Sequence, residues 1–403
     1  MPSSPDHAAA LPAGAAPGPA FSLRPLLFAN LACTMAMMAF VSLVGPMARV
    51  LRLAPWQAGM AVTVGGVLWM LLSRPWGQAS DRHGRRPVLL AGVGGFGLAY
   101  WAMCAVLVVA LHVLPAAGLV FLGLLVSRGA VGAFYAAIPS TGLALVADHV
   151  APGHRAGAMA SLGAANAVGM VLGPALAAGL AQSSLSLPLY ATALLPLAAF
   201  GVLWKGLPRA ERRHADLPRT LGLGDARLRA PMAVAFVAMF CVAIAQITVG
   251  FFAIDQLGLA SGPAARAAGM ALTSVGVALI GSQLLVRRLD WTPLRLIRIG
   301  SLVAAAGFGA TALVHDAWLL GACFFVAAAG MGWVFPAFSA LAANAVEAHE
   351  QGSAAGSVGA AQGLGIVLGP LAGTLLYAIA PGAPYVAVAL LLAGTAAWVA
   401  LRR

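Results

Sequence analysis

SLGAANAVGMVLGP, residues 161–174, returns as SVGAAQGLGIVLGP at 357–370, with nine of the fourteen positions identical at an offset of 196. The offset is close to half of the 403-residue chain. Similar small-residue composition would give scattered matches, but here the Gly-Pro pair and its flanking glycine all align. The stretch therefore divides the chain into two related halves and puts 161–174 and 357–370 at equivalent places within them.

What the halves are made of follows from composition. Hydrophobic residues make up 61% of the chain and charged residues 8%, against about a quarter charged in soluble domains. Many windows are apolar on every side, which a helix tolerates only in lipid or deep among other helices. A helix needs about 20 apolar residues to cross the ~30 Å hydrocarbon layer. Twelve windows of that length are found, near 26–48, 58–76, 88–111, 116–147, 157–182, 187–205, 231–254, 266–286, 294–313, 317–345, 354–379 and 384–400. The expected fold is an all-α integral membrane protein whose twelve helices form two pseudo-symmetric bundles of six.

The charges sit between the spans. If the chain starts in the cytoplasm, all but four of the 23 basic residues fall on the cytoplasmic side, three (Arg49, Arg52 and Arg266) fall outside, and Arg128 falls mid-span. The positive-inside rule then puts both termini in the cytoplasm, as for a multi-pass protein of a bacterial-type inner membrane. The net charge of +12 is spread over these short gaps and not over one soluble face, so it does not point to nucleic acid. Residues 1–23 are expected to be a disordered cytoplasmic tail. The first bundle covers 24–204, the polar stretch 205–230 is a cytoplasmic linker, and the second bundle covers 231–403. The four cysteines are widely spaced inside apolar spans and suit neither a metal site nor a redox pair.

One gap carries more than topology. GQASDRHGRR, residues 77–86, joins three arginines, a histidine and the lone acid Asp81 between the second and third spans. Basic residues there set orientation, but a single carboxylate does nothing for it. An acid can instead accept from orphan N–H groups at a helix N-terminus. Gly77 and Gly84 would allow tight turns, and Arg82, Arg85 and Arg86 can pair with Asp148 or with anionic lipid heads.

With twelve spans in repeated halves and G-x-x-x-D-R-x-G-R-R in this gap, the chain resembles the major facilitator superfamily, in particular its drug:proton antiporter branch. The resemblance runs from about residue 24 to the end. Repeated halves related by an axis along the membrane normal are a recurring plan for such transporters. Two further patterns match more loosely. Arg128 and Gly132 stand in the fourth span, with Val131 and Phe134 departing from the family pattern. Gly169, Gly173 and Pro174 stand in the fifth, with Ala177 and Ala178 where paired glycines are usual. The fifth-span pattern implies export. The resemblance also implies that Asp81 clasps the start of span 11, near Ser353, and releases it once per cycle.

Gly169 and Gly173, matched by Gly365 and Gly369, have the spacing that lets helices approach closely. Pro174 and Pro370 bend their helices. Together they read as a rocking interface between the halves or as static packing. Arg128, near mid-membrane, costs at least about 2.5–3.5 kcal/mol there and should face a wet cavity or a partner. It can tune a proton-carrying acid, bind an anionic solute, or hold helices through backbone carbonyls. The first span has no acid and offers Asn30, Thr34 and a run of methionines. Asp255, at the outer end of the seventh span, is the best proton-carrier candidate, although it could also simply end its helix. Tyr135, Asn166, Gln246, Gln283, Trp333 and Gln362 complete the polar and aromatic groups expected near a cavity.

The resemblance implies proton-coupled export by alternating access, and these residues suggest that the cargo is an amphipathic small organic molecule that is anionic or zwitterionic. A carboxylate metabolite, a siderophore-like product or a drug such as a tetracycline would fit. The rivals are a proton symporter that imports a small metabolite and a membrane sensor that transports nothing. No nucleophile–base pair or metal spacing appears within the spans, so neither an enzyme nor a cofactor is expected. The expected partners are the solute, protons and membrane lipids, with the protein acting as a monomer.

Overall fold

The computed structural model describes residues 22–150, 152–207, 225–286, 291–347 and 351–401. Most of the expected tail and most of the expected linker lie outside these residues. The described chain is helical, with 12 helices long and apolar enough to cross a membrane. In the first half these are α1 (Arg24–Val50), α2 (Pro55–His83), α3 (Arg85–Val113), α4 (Ala117–Tyr135) continued by α5 (Ala137–His149), α6 (Pro152–Leu180) and α7 (Leu187–Gly206). The second half has α8 (Arg229–Asp255), α9 (Ser261–Val286), α10 (Pro293–Thr311), α11 (Ala317–Asn344), α12 (Gln351–Tyr377) and α13 (Ala383–Ala400).

The fourth span is one crossing made of two helices. Pro139 cannot donate to the carbonyl of Tyr135 and its ring crowds that carbonyl, so the ladder breaks at Ala136. Side chains that would be wet in water, among them Leu98, Val126, Leu194 and Leu390, are mostly exposed. They cover the outside of the bundle as a lipid-facing surface must, while the helices keep their backbone bonds internal.

Within the first half α1 packs on α6 and α7, and α4 on α2 and α3. Within the second half α8 packs on α12, and α11 on α9 and α10. The two bundles meet where α2 faces α12, α6 faces α9 and α1 faces α8. The result is two six-helix bundles side by side.

Two expectations about local structure change. Residues 77–86 are not a ten-residue gap. Helix α2 runs on to His83 and α3 begins at Arg85, so Gly84 alone makes the turn. Its backbone, at φ 95° and ψ 151°, lies in a region that only glycine enters freely. Gly77 sits inside α2 with open space around it and makes no turn. Gly84→Ala should therefore cost about 1 kcal/mol, the low end for such strain because the joint is at the surface. Thermal unfolding in detergent measures this, with Gly77→Ala as the control that should not destabilise.

The glycine pairs also serve a different contact from the one expected. A Cβ on Gly169 would stand 2.8 Å from the Leu31 carbonyl oxygen, and one on Gly365 would stand 2.6 Å from that of Phe236. These glycines bring α6 onto α1 and α12 onto α8, inside each half. The seam between halves falls to the prolines. A Cβ on Gly269 of α9 would meet the Pro174 carbonyl oxygen at 2.7 Å, and one on Gly59 of α2 would meet that of Pro370 at 2.7 Å. The repeat thus makes the same cross-half contact twice.

Candidate functional site

Arg128 lies on α4, about 16 Å of helix from its start at 1.5 Å per residue, and is 3% exposed. Its place is set by a close approach of α4 to α2, where a Cβ on Gly65 would stand 2.9 Å from the Arg128 carbonyl oxygen. The guanidinium donates from Nη1 to the sulfur of Met37 at 2.9 Å. It also lies over the Phe40 ring, 5.1 Å from the centroid. Its Nε has no partner, and no acid pairs with it among the described residues. Among the described residues, a full charge at mid-depth is met by a polarisable sulfur and the negative face of a ring. Both are weak substitutes for a carboxylate.

Beside it is a polar cluster from three helices. Thr34 of α1 donates to Oδ1 of Asn166 at 3.0 Å and lies 3.2 Å from the Tyr135 hydroxyl. Tyr135 in turn packs against Trp69 and Phe96, and the Trp69 indole nitrogen is buried without a partner. Asn30 bonds back to the Leu26 carbonyl at 2.9 Å, so its amide is spent on its own helix. Gln246, Trp333 and Gln362 sit half-buried in the second half, and no hydrogen bond among the described residues joins them to the Thr34 cluster. The Trp333 ring packs edge-on against Trp291, and its indole nitrogen is unpartnered. The side chain of Gln283 lies outside the described residues.

Asp255 is in a cross-half contact. Arg49 of α1 forms an ion pair with it, and the Tyr377 hydroxyl donates to the same carboxylate oxygen at 2.6 Å. Nearby, the backbones of Gly45 and Gly250 nearly touch, so that a Cβ on Gly45 would fall 2.8 Å from the Gly250 Cα. With the Gly59 and Gly269 seams, these contacts close one end of the molecule, the end that holds the α1–α2 and α8–α9 turns. The pair is 36% and 27% exposed, so it is worth at most about 1 kcal/mol. Asp255→Asn keeps the acceptor for Tyr377 and removes the charge. It should shift the open-to-closed ratio at this end by up to about five-fold, read from spin-label distances between α1 and α8.

At the opposite end Arg85 is the hub. It donates from Nε to Asp148 at 2.8 Å, reaches the Ser80 hydroxyl at 2.7 Å and pairs with Asp81. Arg86 bonds the Trp204 carbonyl at 2.8 Å and lies over that ring, while Arg82 is exposed. Asp81 is thus held within its own half. The side chain of Ser353, the expected far partner, lies outside the described residues. Sequence reading missed Phe40, Arg49 and Tyr377 as site residues, because each acts through a neighbour far away in the chain.

Comparison with known proteins bears on the whole assembly. The family described as Major Facilitator Superfamily matches residues 26–370 and 295–403. The tetracycline resistance protein, class G, of Vibrio anguillarum is 29% identical over 338 residues, covering 81% of each chain. The class B protein of Escherichia coli is 25% identical, covering 77% of this chain and 76% of that one. Among solved structures, a bacterial homologue of the human lysosomal transporter Spinster, inward-facing and occupied, superposes with a TM-score of 0.74 at 15% identity, over 94% of this chain and 95% of that one. A bacterial homologue of the iron transporter ferroportin, inward-facing, gives 0.71 at 17% identity, over 94% and 98%.

Proposed function

The chain belongs to the major facilitator superfamily, and from that premise we propose that this multi-pass transporter exports an amphipathic organic molecule bearing a negative charge, in exchange for protons. The carrying observation is Arg128, a buried guanidinium with no acid paired to it among the described residues and an unpartnered Nε. Such a site gains most from a solute that brings its own anion. The Thr34, Tyr135 and Asn166 groups supply hydrogen bonds close by, and Met37, Phe40 and Trp69 supply an apolar and polarisable wall. The names of the tetracycline resistance relatives make a tetracycline the first solute to try.

With the basic residues on the cytoplasmic side, the closed end faces outward and the Gly84 joint inward. This arrangement is that of a state closed to the outside. Protonation of Asp255 from outside would loosen its tie to Arg49 and favour opening there. On the inner side, Asp81 would exchange its Arg85 contact for the start of α12 when that side closes. The bundles at 24–204 and 231–403 move against each other, and 205–230 joins them in the cytoplasm.

The test is a proton-loaded everted vesicle assay. Tetracycline and a panel of anionic, zwitterionic and cationic solutes are added, and the solute-dependent efflux of protons is followed with a pH dye. Proton release with anionic or zwitterionic solutes is the expected result. Release with lipophilic cations alone would overturn the charge assignment. Uptake that runs with the proton instead of against it would make the protein an importer.

A further inference from the structure

Away from the central site, a groove of about 730 Å³ opens on the flank of the bundle, between α6 of the first half and α9 and α11 of the second. A second recess of about 450 Å³ shares its upper end and continues past Leu259 and Pro263. The upper rim holds Arg266, Gln182 and Trp318. Arg266 is exposed and enters no ion pair among the described residues. Below the rim the walls include Gly179, Gly321 and Phe325. The polar groups lower down are already satisfied. Thr273 bonds the Gly269 carbonyl at 2.7 Å, and Ser274 bonds that of Gly321 at 2.9 Å. The groove therefore offers one free cation and an amide at one end, and hydrocarbon contacts along the rest.

The length fits one kind of occupant. From Arg266 to Val277, α9 runs about 16 Å at 1.5 Å per residue, close to half of the ~30 Å hydrocarbon layer. A compact solute would not use that length. We propose that this groove is a binding site for an anionic phospholipid, with its phosphate on Arg266 and Gln182 and one acyl chain lying against Gly179, Gly321 and Phe325. A Trp beside the headgroup level is the usual interfacial anchor. Because the walls come from both halves, the bound chain bridges the α6–α9 seam and holds the closed end together. The site does not depend on the transport reading, and a negative vesicle assay leaves it untouched.

The test is native mass spectrometry of the whole protein released from mixed micelles holding equal phosphatidylglycerol and phosphatidylcholine. The wild type should retain phosphatidylglycerol over phosphatidylcholine by about five-fold, the contribution of one arginine at a membrane surface. Arg266→Gln should bring the two lipids level. Gly321→Leu, placed where an added Cβ meets only open space, should lose both. Unfolding temperatures of the lipid-free variants, which should match the wild type, confirm that both are folded. Equal retention of the two lipids by the wild type, or unchanged retention in Gly321→Leu, overturns the proposal. So does displacement of the lipid by a transported solute such as tetracycline, which would make the groove an exit path for cargo.

Discussion

Arg128→Met should reduce transport of an anionic solute by about 10- to 150-fold, the equivalent of a charge-assisted contact of about 1.5–3 kcal/mol. The same substitution should leave the protein as stable as before, or more stable. The wild-type guanidinium is buried against Met37 and Phe40, and neither would be left as an orphaned polar group by a methionine. Removing a mid-membrane charge also relieves a cost of at least about 2.5–3.5 kcal/mol. The two readouts move in opposite senses only if the arginine is held for its ligand. If it serves to tie helices together, stability falls along with transport. Measuring initial rates in vesicles beside unfolding temperature in detergent separates the two. Arg128→Lys keeps the charge but loses the planar fork, and should recover part of the activity.

The second large effect concerns the seam. Gly59→Val or Gly269→Val puts carbon against the carbonyl of Pro370 or Pro174, where a backbone atom cannot step aside. Overpacking of this kind costs about 1–3 kcal/mol. The strain exists only while the α1–α2 end is closed, because opening that end parts the two surfaces. Each variant should therefore fold, but favour the state open at that end by about 5- to 150-fold, and turnover should fall because closure is required in every cycle. Cysteine accessibility near Arg49 and Asp255 would report the shift. Gly169→Val is the contrast. Its clash is with α1 of the same half, so no rigid movement of the bundles relieves it, and it should lower stability without preference for either state. Equal behaviour of all three variants would show that the halves do not part along this seam.

How much of this could be read from the sequence depended on the range of the interaction. The spans were legible because lipid imposes length and apolarity residue by residue. Their ends were not, since hydropathy reports depth in the membrane and not helicity. Gln78 to His83, polar apart from Ala79, are good enough helix formers, and Ser80 and His83 bond back to carbonyls of their own helix. So α2 continues beyond the hydrocarbon layer to Gly84. Glycines spaced by four announced a close approach and could not say against which helix. Arg128 was legible from its depth alone, whereas Phe40 carries no mark of its own. The Arg49–Asp255 pair joins residues 206 positions apart, and nothing in either local stretch points to the other.

The seam contacts come in a matched pair, but the buried cation does not. Helix α11, which answers to α4 in the second half, contains no charged residue anywhere from Ala317 to Asn344. On the proposed mechanism the moving parts are therefore twinned while cargo selection is lopsided. Variants selected for a new cargo should gather on α1, α2 and α4 around Arg128 and leave the opposite lobe nearly silent.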